Sequence, residues 1–199
     1  VPNAPASDKD WIGAIFLSGE GGPVIATASA RQVHLASGAT FPFPGGAANK
    51  PPSVDSILQV DFSYDFKTDL VVAGAGGVRL MRQESSSSFS DVTAETRLPA
   101  NVVNAAYTGA WAADIEADGD LDIVSLVSQE WEEIYAFVND GRGGFTARRI
   151  FGASNEDFGS SWITLVDLDK DRDIDMLYSN GDAFDYAPPP VTLAALDGG

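Results

Sequence analysis

The sequence predicts an all-β chain built from repeated units of four short antiparallel strands. Three observations carry this. One acidic frame occurs three times, with its first aspartate at 61, 114 and 167, a constant step of 53 residues. Each frame runs into a short apolar segment: Leu70-Val71-Val72-Ala73, Ile123-Val124-Ser125-Leu126 and Met176-Leu177-Tyr178. Beyond that segment, β-rich stretches alternate with turn residues, as in Ile134–Val138, the Asn139–Gly144 turn and Phe145–Ile150, where Asn, Asp and Gly tolerate the positive φ of a hairpin. About four strands per period of about 50 residues is the unit of a β-propeller.

The units follow in order. Residues 1–54 form a degenerate first blade with a Pro/Gly-rich loop from Ala39 to Pro52. Ile15–Thr27 aligns with Asp61–Ala73 at an offset of 46, which puts Ile, Leu, Gly and Pro at the acidic positions and predicts a blade without metal. Residues 55–106 form a blade with a weak acidic loop. Its strands read as Val78–Arg82 and Phe89–Thr93, with the serines 85–88 as a solvated hairpin tip. Residues 107–157 form a blade with a strong loop, and 158–199 a partial blade with a Pro-rich tail. Three complete blades and part of a fourth are fewer than most closed rings hold, so the propeller is expected to be incomplete. Its open faces are expected to need further blades or another chain.

The acidic frames point to a hard cation. Ca²⁺ takes six to eight oxygens in irregular geometry, and a tight loop can converge side chains from alternate positions. The 114–122 loop offers Asp114, Glu116, Asp118, the Asp120 carbonyl and Asp122, with Gly119 where the turn is sharpest. The 167–175 loop offers Asp167, Asp169, Asp171, Asp173 and Asp175, with Arg172 in place of that glycine. The 61–69 loop offers Asp61, Ser63, Asp65, the Lys67 carbonyl and Asp69. Its serine and its lysine predict the weakest binding of the three. An EF-hand is excluded, because position 12 is Ser125 or Tyr178 rather than Glu and the flanks read as strands.

Composition narrows the partners. With 29 acidic and 12 basic residues the net charge is −17, which argues against nucleic acid and anionic membranes. No apolar run approaches the roughly 18 residues of a membrane span. Cysteine is absent, which removes disulfides, zinc thiolates and thiol nucleophiles. Loops of modest Ca²⁺ affinity suit a secreted, periplasmic or cell-surface location. The chain begins at Val1 without a signal-like segment and reads as a processed or excised piece of something larger.

The frames Asp114–Val124 (DIEADGDLDIV) and Asp167–Leu177 (DLDKDRDIDML) resemble the FG-GAP/VCBS repeats of integrin-like β-propellers. The stretch from Gly77 through Phe89–Thr93 to Trp111 resembles the bacterial VCBS type. The resemblance covers about residues 55–185 and implies a Ca²⁺ loop within each blade and a propeller usually of seven blades. It leaves function open. One reading is a non-catalytic module that binds a protein or glycan, with Trp111, Trp131, Trp162, Phe184 and Tyr186 as candidate contacts. Trp111 and Trp162 recur near the acidic frames and are expected to pack blade on blade. The alternative is the scaffold of a sugar lyase or dehydratase. Its only histidine, His34, lies in an ordinary strand pattern, Gly74–Gly77 lacks the Lys-Ser/Thr and helix of a phosphate loop, and no residue is assigned a catalytic role.

Overall fold

The computed structural model describes residues 10–127, 133–152, 160–180 and 193–195. The sequence candidates Trp131, Phe184 and Tyr186 lie outside the described residues. Among the described residues fifteen strands form four antiparallel sheets, and within each sheet every strand pairs with the next in sequence. The first sheet holds β1 (Trp11–Ile15), β2 (Val24–Ala28), β3 (Gln32–Leu35) and β4 (Thr40–Pro42). The second holds β5 (Ile57–Val60), β6 (Asp69–Gly74), β7 (Gly77–Ser85) and β8 (Ser88–Asp91). The third holds β9 (Tyr107–Ala113), β10 (Asp122–Val127), β11 (Glu133–Asn139) and β12 (Phe145–Gly152). The fourth holds β13 (Ser160–Val166), β14 (Asp175–Asn180) and β15 (Leu193–Ala195). The array is an incomplete propeller. A short helix, α1 (Ala100–Val103), follows the second sheet. Among the described residues no helix is long and apolar enough to cross a membrane.

The core lies between successive sheets. β6 is buried along its whole length, and its side chains alternate between two clusters. Leu70 and Val72 pack with Ile15, Leu17 and Val24 of the first sheet. Val71 and Ala73 pack with Ala110, Ile123 and Phe137 of the third. The run of apolar residues from Leu70 to Ala73 is what a strand covered on both faces requires. Val124, Ile134 and Ala136 of the third sheet then meet Ile163 and Met176 of the fourth.

Strand pairing corrects three details of the sequence reading. Part of the loop assigned to 39–52 is strand β4, which includes Pro42; proline fits there because β4 is an edge strand and its N–H is not needed. The serine tip is shorter than four residues, because Ser85 and Ser88 already pair. The worn first blade aligns at an offset of 45 rather than 46: Ile15 pairs with Val24 as Val60 pairs with Asp69. A slip of one residue exchanges the two faces of a strand, and the correct register sets Leu17 opposite its counterpart Phe62, both buried. It also sets Ser18 and Glu20 at the positions of Ser63 and Asp65, so two oxygen-bearing residues survive there. The first and last carboxylates are replaced by Phe16 and Val24.

Gly74–Gly77 is the β6–β7 hairpin, with Gly74 and Gly77 paired. Gly76 donates its N–H to the Pro44 carbonyl at 2.7 Å, and a Cβ on Gly76 would lie 2.7 Å from the Gly46 nitrogen. These glycines allow the 43–46 loop to close over the hairpin. His34 pairs across the strands with Thr40, whose Oγ1 lies 3.2 Å from its Nδ1.

Candidate metal loops

In every sheet an eight-residue loop joins the first two strands: 16–23, 61–68, 114–121 and 167–174. The three acidic loops share one backbone. Each has two residues with positive φ: Tyr64 and Phe66, Ala117 and Gly119, Lys170 and Arg172. Left-handed residues curl the chain so that successive N–H groups point inward, a natural anion cradle. The first aspartate fills it. Asp61 accepts from the N–H groups of Asp65 (3.2 Å) and Phe66 (2.9 Å). Asp114 accepts from Asp118 (3.1 Å) and Gly119 (2.9 Å), and Asp167 from Lys170 (2.7 Å) and Arg172 (3.1 Å).

The last aspartate of each frame opens the second strand and ties the loop to the sheet. Asp69 accepts from the Gln83 N–H (2.8 Å) and the Ser63 N–H (3.1 Å). Asp122 accepts from Asn139 (2.8 Å) and Ile115 (2.9 Å), and Asp175 from Leu168 (2.8 Å). Asp69 and Asp122 are buried, and burial pushes both carboxyls above the ordinary aspartate range.

The structure gathers carboxylates in two of the three frames. Oxygens of Asp61, Asp65 and Asp69 lie within 4.8 Å of one another, as do those of Asp167, Asp169 and Asp175. Two unit charges at that spacing repel by about 3 kcal/mol at an effective dielectric near 20, a cost that a cation would convert into attraction. In the 61–69 loop the buried Ser63 Oγ lies beside the Asp65 and Asp69 carboxylates and favours their ionised forms. The donor set, carboxylates and a hydroxyl without nitrogen or sulfur, fits a hard ion.

The remaining predicted residues are placed differently. Glu116 is drawn to Arg148, with Oε1 2.9 Å from the guanidinium, and the 114–122 frame is not among the gathered groups. The Asp118 Oδ1 accepts from the Asp120 N–H at 3.0 Å, and Asp120 turns its carboxylate against Gly141. Asp171 and Asp173 are exposed at the rim, where the Asp171 Oδ1 accepts the Asp173 N–H. Lys67 holds Asp65 in an ion pair of 2.8 Å.

Three contacting residues escaped the sequence reading. The Gln83 side chain reaches back to the first loop, donating to the Ser18 carbonyl (2.8 Å) and accepting from the Ser18 N–H (3.3 Å). Asn139 does the same one sheet on, donating to the carbonyls of Phe62 (3.0 Å) and Leu121 (3.1 Å). Tyr64 links neighbouring loops, with its hydroxyl donating to the Gly119 carbonyl (3.1 Å) and accepting the Leu121 N–H (2.5 Å). The first two loops are thus each tied by a side-chain amide from the following sheet.

The loop backbone yields one direct prediction. Phe66 is 94% exposed and has φ 64°, at the position that Gly119 occupies in the next loop. A left-handed conformation costs a residue with a Cβ about 1–2 kcal/mol, and glycine returns part of that gain as unfolded-chain entropy. Phe66→Gly is expected to raise stability by up to about 1 kcal/mol, measured by urea unfolding. A loss of stability would mean that the ring is held by contacts the structure does not have.

The FG-GAP-like repeat model matches the chain over residues 61–125 and again over 118–178. The two matches span all three acidic frames and the strands that follow them. No curated protein matches the chain.

Proposed function

We propose, for a chain that belongs to the FG-GAP-like repeat family, that it is a non-catalytic Ca²⁺-binding propeller module of the VCBS type. In this reading the ions stiffen the blades of a secreted, periplasmic or cell-surface protein, whose loops engage a protein or glycan partner. The observation that carries the reading is the 61–69 loop, where oxygens of Asp61, Asp65 and Asp69 gather within 4.8 Å of one another. Asp61, Ser63, Asp65 and Asp69 would hold one ion. Asp167, Asp169 and Asp175 would hold another, with Asp171 and Asp173 at its rim. Asp114, Glu116, Asp118, Asp120 and Asp122 would form the third site once Glu116 leaves Arg148. The bound ion supplies charge neutralisation and cross-links the two ends of each loop. Everything else is done by the chain: the left-handed turns aim the oxygens, and the interblade amides hold the first two loops to the next sheet.

Calorimetric titration of EDTA-stripped protein tests this. Ca²⁺ binding heat is expected, and it should be reduced when Asp61 and Asp65 are both replaced by alanine. Absence of any Ca²⁺ heat in the unmutated chain would leave these loops as acidic turns. The Lys67 ammonium competes for the same carboxylate, so Lys67→Gly is expected to tighten Ca²⁺ binding at this loop, on the order of a fewfold given how weakly exposed ion pairs act. Unchanged affinity in the same titration would show that Lys67 swings away at no cost.

A further inference from the structure

We infer that the groove between the start of β7 and α1 binds a small free monocarboxylic acid with a compact apolar body. Neither the acidic loops nor a bound ion takes part. The groove has a volume of about 470 Å³, and Arg79, Asp91, Ala94, Leu98, Ala100 and Val103 line it. Arg79 is half-buried on β7. Gly77 makes room for its guanidinium beside the end of α1: a Cβ there would lie 2.8 Å from the Arg79 Nη1 and 2.3 Å from the Val103 carbonyl oxygen. Nη1 donates to the Val78 carbonyl at 2.7 Å. Lys67, Arg82, Arg97, Arg148 and Arg149 each hold a carboxylate. Arg31, Lys50, Arg142, Lys170 and Arg172 do not, but all five are exposed. Among the described residues Arg79 is the one Lys or Arg that is partly withdrawn from water and has no acidic partner. Asp91 lines the same groove, but its Oδ1 is engaged by Thr93, accepting the N–H at 3.0 Å and the hydroxyl at 2.5 Å.

A charge drawn out of water is costly until it is paired, and a planar guanidinium fork is the natural partner of a planar carboxylate. The rest of the lining sets the body of the ligand. Ala94, Leu98, Ala100 and Val103 are aliphatic and cover a short hydrocarbon. The net charge of −17 and the Asp91 carboxylate on the groove repel a second negative charge, so a monoanion is taken over a polyanion. The volume falls within the roughly 300–1,000 Å³ of small-ligand sites. A peptide is commonly taken up along a free strand edge, whereas β7 is already paired on both sides, by β6 and β8. The groove therefore suits a free acid and not the end of a chain.

Two-dimensional NMR of the full chain, titrated with 4-methylpentanoate and separately with its neutral amide, gives the readout. The acid is expected to shift the signals of Arg79, Ala94, Leu98 and Val103 together, and the amide to bind about tenfold more weakly or worse, as loss of a charge-assisted contact implies. Arg79→Met keeps the hydrocarbon stem and is expected to bring the acid down to the affinity of the amide. The shift map and the acid-to-amide ratio in the unmutated chain decide the matter even if that variant unfolds. N-acetyl-leucine imitates a peptide end and is expected to bind no more tightly than 4-methylpentanoate. No shifts at these residues, equal binding of acid and amide, or undiminished acid binding by a folded Arg79→Met would overturn the proposal. Tighter binding of N-acetyl-leucine would overturn it too, by assigning the groove to a chain end.

Discussion

Asp69→Ala and Asp122→Ala are each expected to lower the free energy of unfolding by about 2–4 kcal/mol in EDTA, before any ion is considered. Each carboxylate is buried and accepts two backbone N–H groups: Gln83 and Ser63 for Asp69, Asn139 and Ile115 for Asp122. Hydrogen bonds to a charged acceptor contribute about 1.5–3 kcal/mol each, and truncation leaves buried donors unsatisfied. Desolvation of the carboxylate offsets part of this, as its raised pKa records. Asp118→Ala provides the contrast. Asp118 is exposed, so its loss should cost under about 1 kcal/mol in EDTA while still removing an ion ligand. Equal effects of Asp122→Ala and Asp118→Ala in urea unfolding would show that the last aspartate has no structural part beyond metal binding.

That division of labour explains what the sequence could reveal. The acidic frames were legible because everything that makes them is local: alternate oxygens, a turn residue, and a strand that begins at the ninth position. The repeat step of 53 residues made them unmistakable. Where the ligands were lost, the only guide was apolar residues, and these tolerate a slip of one position; the pairing of Ile15 with Val24 fixes what the alignment could not. The two tryptophans misled for a related reason. Trp111 pairs with Val124 but Trp162 with Ser179, two and four residues past the aspartates that open their strands, Asp122 and Asp175. They are not counterparts. Trp111 packs into the interface with the fourth sheet, whereas Trp162 faces outward, which corrects the expectation that both are packing residues. The interblade amides were hidden more deeply. Gln83 lies 14 residues after Asp69 and Asn139 17 after Asp122, because the hairpins between them differ. Two residue types at two spacings leave no periodic trace, and only the fold shows that they do the same work.

Removal of Ca²⁺ is expected to lower the melting temperature at neutral pH, and the size of that drop is expected to collapse as the pH falls. A single site with free ion a hundredfold above its dissociation constant contributes about 2.7 kcal/mol, roughly 5–10 °C for a chain of this size. The pH dependence follows from the buried aspartates. In the metal-free protein the folded-state pKa values of Asp69 and Asp122 lie above their unfolded values because of burial. A raised folded pKa means that the protonated carboxyl is the better fit. That contribution is fully present below the unfolded value of about 3.9 and is lost as the pH rises through the folded one. Acidification from neutrality thus relieves these two groups in EDTA. With Ca²⁺ bound the sign reverses, since the ligands must be ionised and protons displace the metal. The gap between the two melting temperatures should narrow on the acid side, in scans with Ca²⁺ and with EDTA at matched ionic strength. A Ca²⁺-dependent shift that persists undiminished well below the unfolded aspartate value would place the ion on groups other than these carboxylates.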